Sequence, residues 1–214
     1  MKFAPMNYHY LRYPIKKFLD KVESSPFDSI DLYCSAPQLN IFDYSLSRLI
    51  ELDRDIRQRN LKVMAMTPEN CVYPVNFCTQ DPVTRQSSIR YYQRAIDTAE
   101  FLGCPNIQIS TGFGYFDQPG EEAWKYCRES LAQLAVYCQR KQVRLFLEEL
   151  KVTTTNVLIT SKDIARMLDE IGSPCIVGMV DMDQMTYAGE TVDDYFDHLG
   201  ERLMHIHFND RGHT

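Results

Sequence analysis

No two of the seven cysteines (Cys34, Cys71, Cys78, Cys104, Cys127, Cys138 and Cys175) stand in C-x-x-C spacing, and an odd number cannot all pair. A disulfide framework is thereby disfavoured, and reduced core thiols in a cytoplasmic protein are expected instead. No apolar run approaches the ~18 residues of a membrane helix. The opening "MKFAPMNYHY" lacks the long apolar core of a signal peptide. A cytoplasmic location without a membrane partner is therefore expected. There is also no block of Lys or Arg, and the net charge is −6. A mainly electrostatic nucleic-acid binder needs a basic face, so nucleic acid is not expected as a partner.

What is present is ordinary in bulk and regular in order. The 214 residues are 44% hydrophobic and 24% charged, enough to bury a substantial core. Strand-like runs occur at 2–8, 29–34, 61–66, 106–110, 144–149, 175–181 and 203–208. Helical patterns separate them: Trp124, Cys127, Leu131, Leu134 and Cys138 share one face, as do Ile164, Met167, Leu168 and Ile171. Thr160 with Asp163, and Thr191 with Asp194, have the spacing of capping boxes. Strict β–α alternation predicts an α/β protein with a parallel sheet covered by helices. A dinucleotide fold would carry a glycine-rich turn after its first strand, and "NYHYLRYP" has no glycine. The expectation is a (β/α)8 TIM barrel, one domain over 1–214, apparently truncated after its seventh strand and lacking its C-terminal βα unit.

Barrel chemistry sits at the C-terminal ends of the strands. Read there, Glu148, Asp181 and His207 end three successive strands. Neighbouring strands lie about 4.8 Å apart, so the three side chains can converge on one ion. Two carboxylates and an imidazole suit Mn²⁺, Zn²⁺, Mg²⁺ or Co²⁺. A carboxylate on "LFLEE" or "CIVGMVD" is costly to bury unless paired or metal-bound. Against this, a strand-end Asp is commonly a helix N-cap, and a lone His is commonly an ordinary satisfied side chain. His205 shares His207's face and is expected deeper in the barrel, in support or packing. Glu149 is expected to face the helical layer. Candidate substrate contacts are Tyr8, Glu69, Gln184 and His213, with Tyr10, Tyr73, Phe113 and Tyr115 as candidate aromatic walls.

Three stretches, "TPENCVYP" (67–74), "FLEELKVTTTNVLIT" (146–160) and "GMVDMDQMTYAGETVDDYFDHLGERLMHIHFND" (178–210), resemble the xylose isomerase-like barrel superfamily of sugar isomerases and epimerases. More narrowly they resemble its fructoselysine 3-epimerase and ketose 3-epimerase branch. The resemblance implies a barrel holding one divalent ion, often Mn²⁺, through a Glu, an Asp, a His and an eighth-strand Glu. The first three map onto Glu148, Asp181 and His207. It also implies a small-molecule ketose or ketosamine substrate, and epimerisation through a cis-enediolate with Glu148 as one acid/base. Two positions depart from the pattern. Thr154 stands where the family has a glutamate, and Gln184 where ketose 3-epimerases have a substrate-binding histidine. The eighth-strand Glu has no counterpart, so a poor or inactive epimerase is expected. The alternatives are a non-catalytic barrel fragment and a metal-dependent abasic-site endonuclease of the same fold. Large apolar barrel surfaces make a homodimer or tetramer the expected assembly.

Overall fold

The computed structural model describes residues 2–71 and 75–209. Within these residues six strands form one parallel sheet in sequential order: β1 (Ser29–Cys34), β2 (Lys62–Pro68), β3 (Asn106–Ile109), β4 (Arg144–Leu147), β5 (Ile176–Asp181) and β6 (Leu203–His207). Among the described residues seven α-helices accompany them: α1 (Ile15–Glu23), α2 (Leu46–Arg57), α3 (Pro82–Leu102), α4 (Gly120–Lys141), α5 (Ser161–Ile171), α6 (Met182–Ala188) and α7 (Val192–Leu199). The sheet is rolled, not flat. Six strands laid flat at about 4.8 Å spacing would hold β1 and β6 some 24 Å apart, yet Asp31 of β1 lies 3.4 Å from His205 of β6. The chain therefore adopts the expected barrel architecture over six strands. Among the described residues, no helix is long and apolar enough to cross a membrane.

The sequence predicts seven strands, and the first of these is the exception. Residues 2–8 pair with β1 only through a single bridge, Met6 to Asp31, with the Asp31 amide donating to the Pro5 carbonyl at 3.0 Å. The backbone then turns into a 3₁₀ helix, Asn7–Tyr10. The Asn7 side chain continues the pairing in place of a backbone rung: its Oδ1 accepts from the Tyr33 amide (2.7 Å) and its Nδ2 donates to the Tyr33 carbonyl (3.0 Å). The last connection also differs, since two helices, α6 and α7, join β5 to β6.

Local chemistry sets the helix ends. Asp81 caps α3 by accepting from the amides of Val83 and Thr84, with Pro82 inside the first turn where its missing N–H costs nothing. Thr160 and Thr191 form complete capping boxes with Asp163 and Asp194. β4 and β5 are almost continuously buried, as strands covered on both faces must be. Gly178 on β5 is where helices close on the sheet: a Cβ there would lie 2.7 Å from Leu199 Cδ1 and 3.3 Å from Ile164 Cγ2.

Candidate metal centre

Glu148 follows β4, Asp181 ends β5, and His207 ends β6 opposite Asp181 in the parallel register. His207 Nδ1 lies 3.3 Å from a Glu148 carboxylate oxygen and 3.7 Å from Asp181 Oδ2. The ligand atoms of these three residues all fall within 4.8 Å of one another. Each carboxylate is oriented from behind. Gln108, on β3, donates to Glu148 Oε2 at 2.5 Å and leaves Oε1 toward His207. Asp181 Oδ1 caps α6 by accepting from the amides of Asp183 (2.9 Å) and Gln184 (3.0 Å). Its Oδ2 accepts from Asn209 Nδ2 at 2.9 Å and faces His207. Asp181 is thus an N-cap and a member of the cluster at once, one oxygen for each role.

The electrostatics separate the three groups. Burial pushes the Glu148 carboxyl up, the Asp181 charge adds to this, and His207 and Gln108 only partly offset it. Burial also opposes ionisation of Asp181, but His207, the Gln184 amide and Asn209 outweigh it and hold the carboxyl below its usual range. His207 is desolvated, yet the carboxylates of Asp181, Asp31 and Glu148 raise it well above an ordinary imidazole. An imidazole surrounded by carboxylates, with no lysine or arginine in ion-pair contact with any of them among the described residues, is what a divalent cation would complement. The donor set of two carboxylate oxygens and one imidazole nitrogen suits a borderline or hard divalent ion.

His205 lies deeper, stacked on Phe146 with ring centroids 4.8 Å apart and planes at 10°. Glu149 turns the other way into the helical layer. It is fully buried, and Oε1 takes the Asp181 amide at 3.4 Å while Oε2 has no hydrogen-bond partner. Gln184 uses its side-chain oxygen to accept from the Lys151 amide (2.9 Å), tying the loop after β4 to α6. Glu69 accepts from the Tyr33 hydroxyl and from the Cys71 amide (3.1 Å), a turn-stabilising arrangement. Tyr8 packs edge-on against Tyr33 at 5.0 Å. Tyr10 packs on Phe18 at 5.6 Å. Phe113 and Tyr115 are exposed on the loop after β3, which Asn76 and Asn156 tie down. Tyr73 and His213 lie outside the described residues.

Two residues of this cluster are not legible from strand ends. Asp31 sits within β1, and Gln108 within β3. Asp31 is the one charged residue of "SIDLYC", and Gln108 stands between two isoleucines in "NIQI", a polar side chain among apolar neighbours being the same signal that singles out Glu148.

A family model, described as xylose isomerase-like TIM barrel, matches residues 19–214. The chain belongs to this family. Its relatives include a fructoselysine 3-epimerase of Shigella flexneri, 26% identical over 210 residues, which covers 98% of this chain and 76% of that protein. A D-psicose 3-epimerase solved in the presence of D-fructose superposes with a TM-score of 0.83 at 16% identity, covering 98% of this chain and 73% of that one. A 3-keto-D-glucoside 4-epimerase from E. coli superposes with a TM-score of 0.82 at 16% identity, covering 98% and 79%. The relatives and structural neighbours of this chain are thus sugar epimerases and isomerases, and the two superpositions speak to the fold.

Proposed function

We propose that this chain is a divalent-metal-dependent sugar epimerase or isomerase acting on a ketose or ketosamine. The observation that carries the reading is the approach of His207 Nδ1 to both the Glu148 and Asp181 carboxylates at the ends of three adjacent strands, in a chain whose relatives are sugar epimerases. Glu148, Asp181 and His207 would hold the ion, with Mn²⁺ the first candidate and Zn²⁺, Mg²⁺ or Co²⁺ the others. When bound, such an ion supplies Lewis-acid polarisation of the sugar's carbonyl and hydroxyl oxygens.

The protein's own groups divide the remaining work. Glu148 and Asp181 differ in their hydrogen-bond partners, Gln108 for the first and the α6 amides with Asn209 for the second. Glu148 would be one acid/base, taking the proton from the carbon beside the carbonyl on one face, and inversion requires a second group to return a proton from the opposite face. Gln108 holds Glu148 Oε2 and leaves Oε1 facing His207. Asp181 is held in place by the α6 amides and Asn209, with Oδ2 facing His207. Seven unpaired cysteines support a reducing, cytoplasmic setting.

Metal analysis of the purified protein and of His207→Ala tests the reading, alongside a ketose epimerisation assay. One equivalent of metal in the wild type and a loss of at least tenfold in affinity for the variant are expected. Equal metal content in both proteins would remove His207 from the ligand set.

A further inference from the structure

Asp31 lies behind the metal cluster, on the opposite side of His207. It is 3% exposed, and its Oδ2 points at two imidazoles, 3.4 Å from His205 Nε2 and 3.6 Å from His207 Nε2. All three of these atoms are buried without a hydrogen-bond partner. A buried polar atom left in that state is costly, and three of them facing one another form a set. The carboxylate is not free to turn away: Thr67 on β2 donates its hydroxyl to Oδ1 at 3.0 Å. The His205 ring is fixed by its stack on Phe146.

We infer that Asp31 is a positioning residue for His207, holding the imidazole by its Nε2–H so that the Nδ1 lone pair faces Glu148 and Asp181. The inference rests on the metal reading of those three residues. A neutral imidazole has one lone pair. If Nδ1 supplies it to an ion, Nε2 carries the proton and can face only an acceptor, and Asp31 Oδ2 is the acceptor in place. A carboxylate behind a ligating imidazole sets its tautomer and orientation and raises the basicity of the ligating nitrogen. His205 Nε2 approaches the same oxygen at 3.4 Å from the deeper side. Asp31, His205 and His207 also satisfy the spacing of an ion site of their own. That alternative would require His207 to ligate through Nε2, or to bridge two ions as an imidazolate, and it predicts a second equivalent of metal.

The experiment compares wild type with Asp31→Asn, Asp31→Ala and Thr67→Val. Mn²⁺ affinity is measured by calorimetry, and the imidazole ¹H–¹⁵N spectrum is recorded on the metal-free proteins, with thermal melts as a folding control. In Asp31→Asn the Mn²⁺ dissociation constant should rise by about 10- to 100-fold, with a smaller rise in Thr67→Val. An exchange-protected His207 Nε2–H signal should be present in wild type and lost in Asp31→Ala. Should Asp31→Ala fail to fold, Asp31→Asn and Thr67→Val decide the matter by the same readouts. Affinity within twofold of wild type in Asp31→Asn, or an unchanged Nε2–H signal, overturns the inference. Two equivalents of Mn²⁺ in wild type falling to one in Asp31→Asn also overturns it, by making Asp31 a ligand. If wild type binds no Mn²⁺ the proposed function falls by itself, and the metal-free spectra still decide the role of Asp31.

Discussion

Glu148 and Glu149 are chemically identical neighbours in sequence, and strand geometry sends them to opposite environments. Glu148 meets His207, Gln108 and Asp181 inside the barrel. Glu149 is buried against α7. Burial, with the charge of Glu148 next, raises its carboxyl well above the usual range. The sign of the consequence follows directly. An acid whose folded value is raised binds more protons folded than unfolded, so stability declines as pH rises from about 4.3, the unfolded value, toward the folded one. Glu149→Gln keeps the shape and the acceptor for the Asp181 amide while removing that proton linkage. Urea midpoints of metal-free wild type should therefore fall more between pH 5 and pH 8 than those of Glu149→Gln. Parallel declines in the two proteins would show that Glu149 is not the group responsible.

Among the elements, β5 with its two following helices carries the most constraint. Its last residue, Asp181, starts α6 and faces His207, while Gly178 three residues earlier lets Ile164 of α5 and Leu199 of α7 close over the strand. Gly178→Ala places a methyl group 2.7 Å from Leu199 Cδ1, and overpacking of this kind costs about 1–3 kcal/mol. A lowered thermal midpoint with metal affinity retained is the expected outcome, because the glycine faces the helices and not the cluster. An unchanged midpoint would mean that Leu199 moves aside without loss. Helix starts such as Thr160–Asp163 and Thr191–Asp194 are legible in sequence because capping chemistry is local. The first strand-like run is misread for the converse reason. Its pairing with β1 passes through the Asn7 side chain onto Tyr33, and nothing within residues 2–8 signals that exchange.

At the scale of the whole molecule, the cluster joins the two ends of the sheet. Glu148, Asp181 and His207 follow neighbouring strands, so strand order alone brings them together, and they are legible from sequence. Asp31 meets His205 and His207 only because the sheet rolls until β1 faces β6, and that curvature depends on the packing of all the intervening helices. An ion held by Glu148, Asp181 and His207, with Asp31 gripping His207 from β1, would link four strands that are far apart in sequence. Ion binding should then stabilise the fold globally, not just one loop. At a free Mn²⁺ concentration 100 times the dissociation constant, linkage contributes about 2.7 kcal/mol, a rise in melting temperature on the order of 5–10 °C for a chain of this length. Hydrogen exchange should slow in β1 and β6 together, although 168 residues or more separate them in the chain. The His207→Ala protein should show neither effect at the same Mn²⁺ concentration. A rise of equal size in that variant would assign the stabilisation to ions bound elsewhere. Protection confined to β6 would show that the ion orders one strand without closing the sheet on itself.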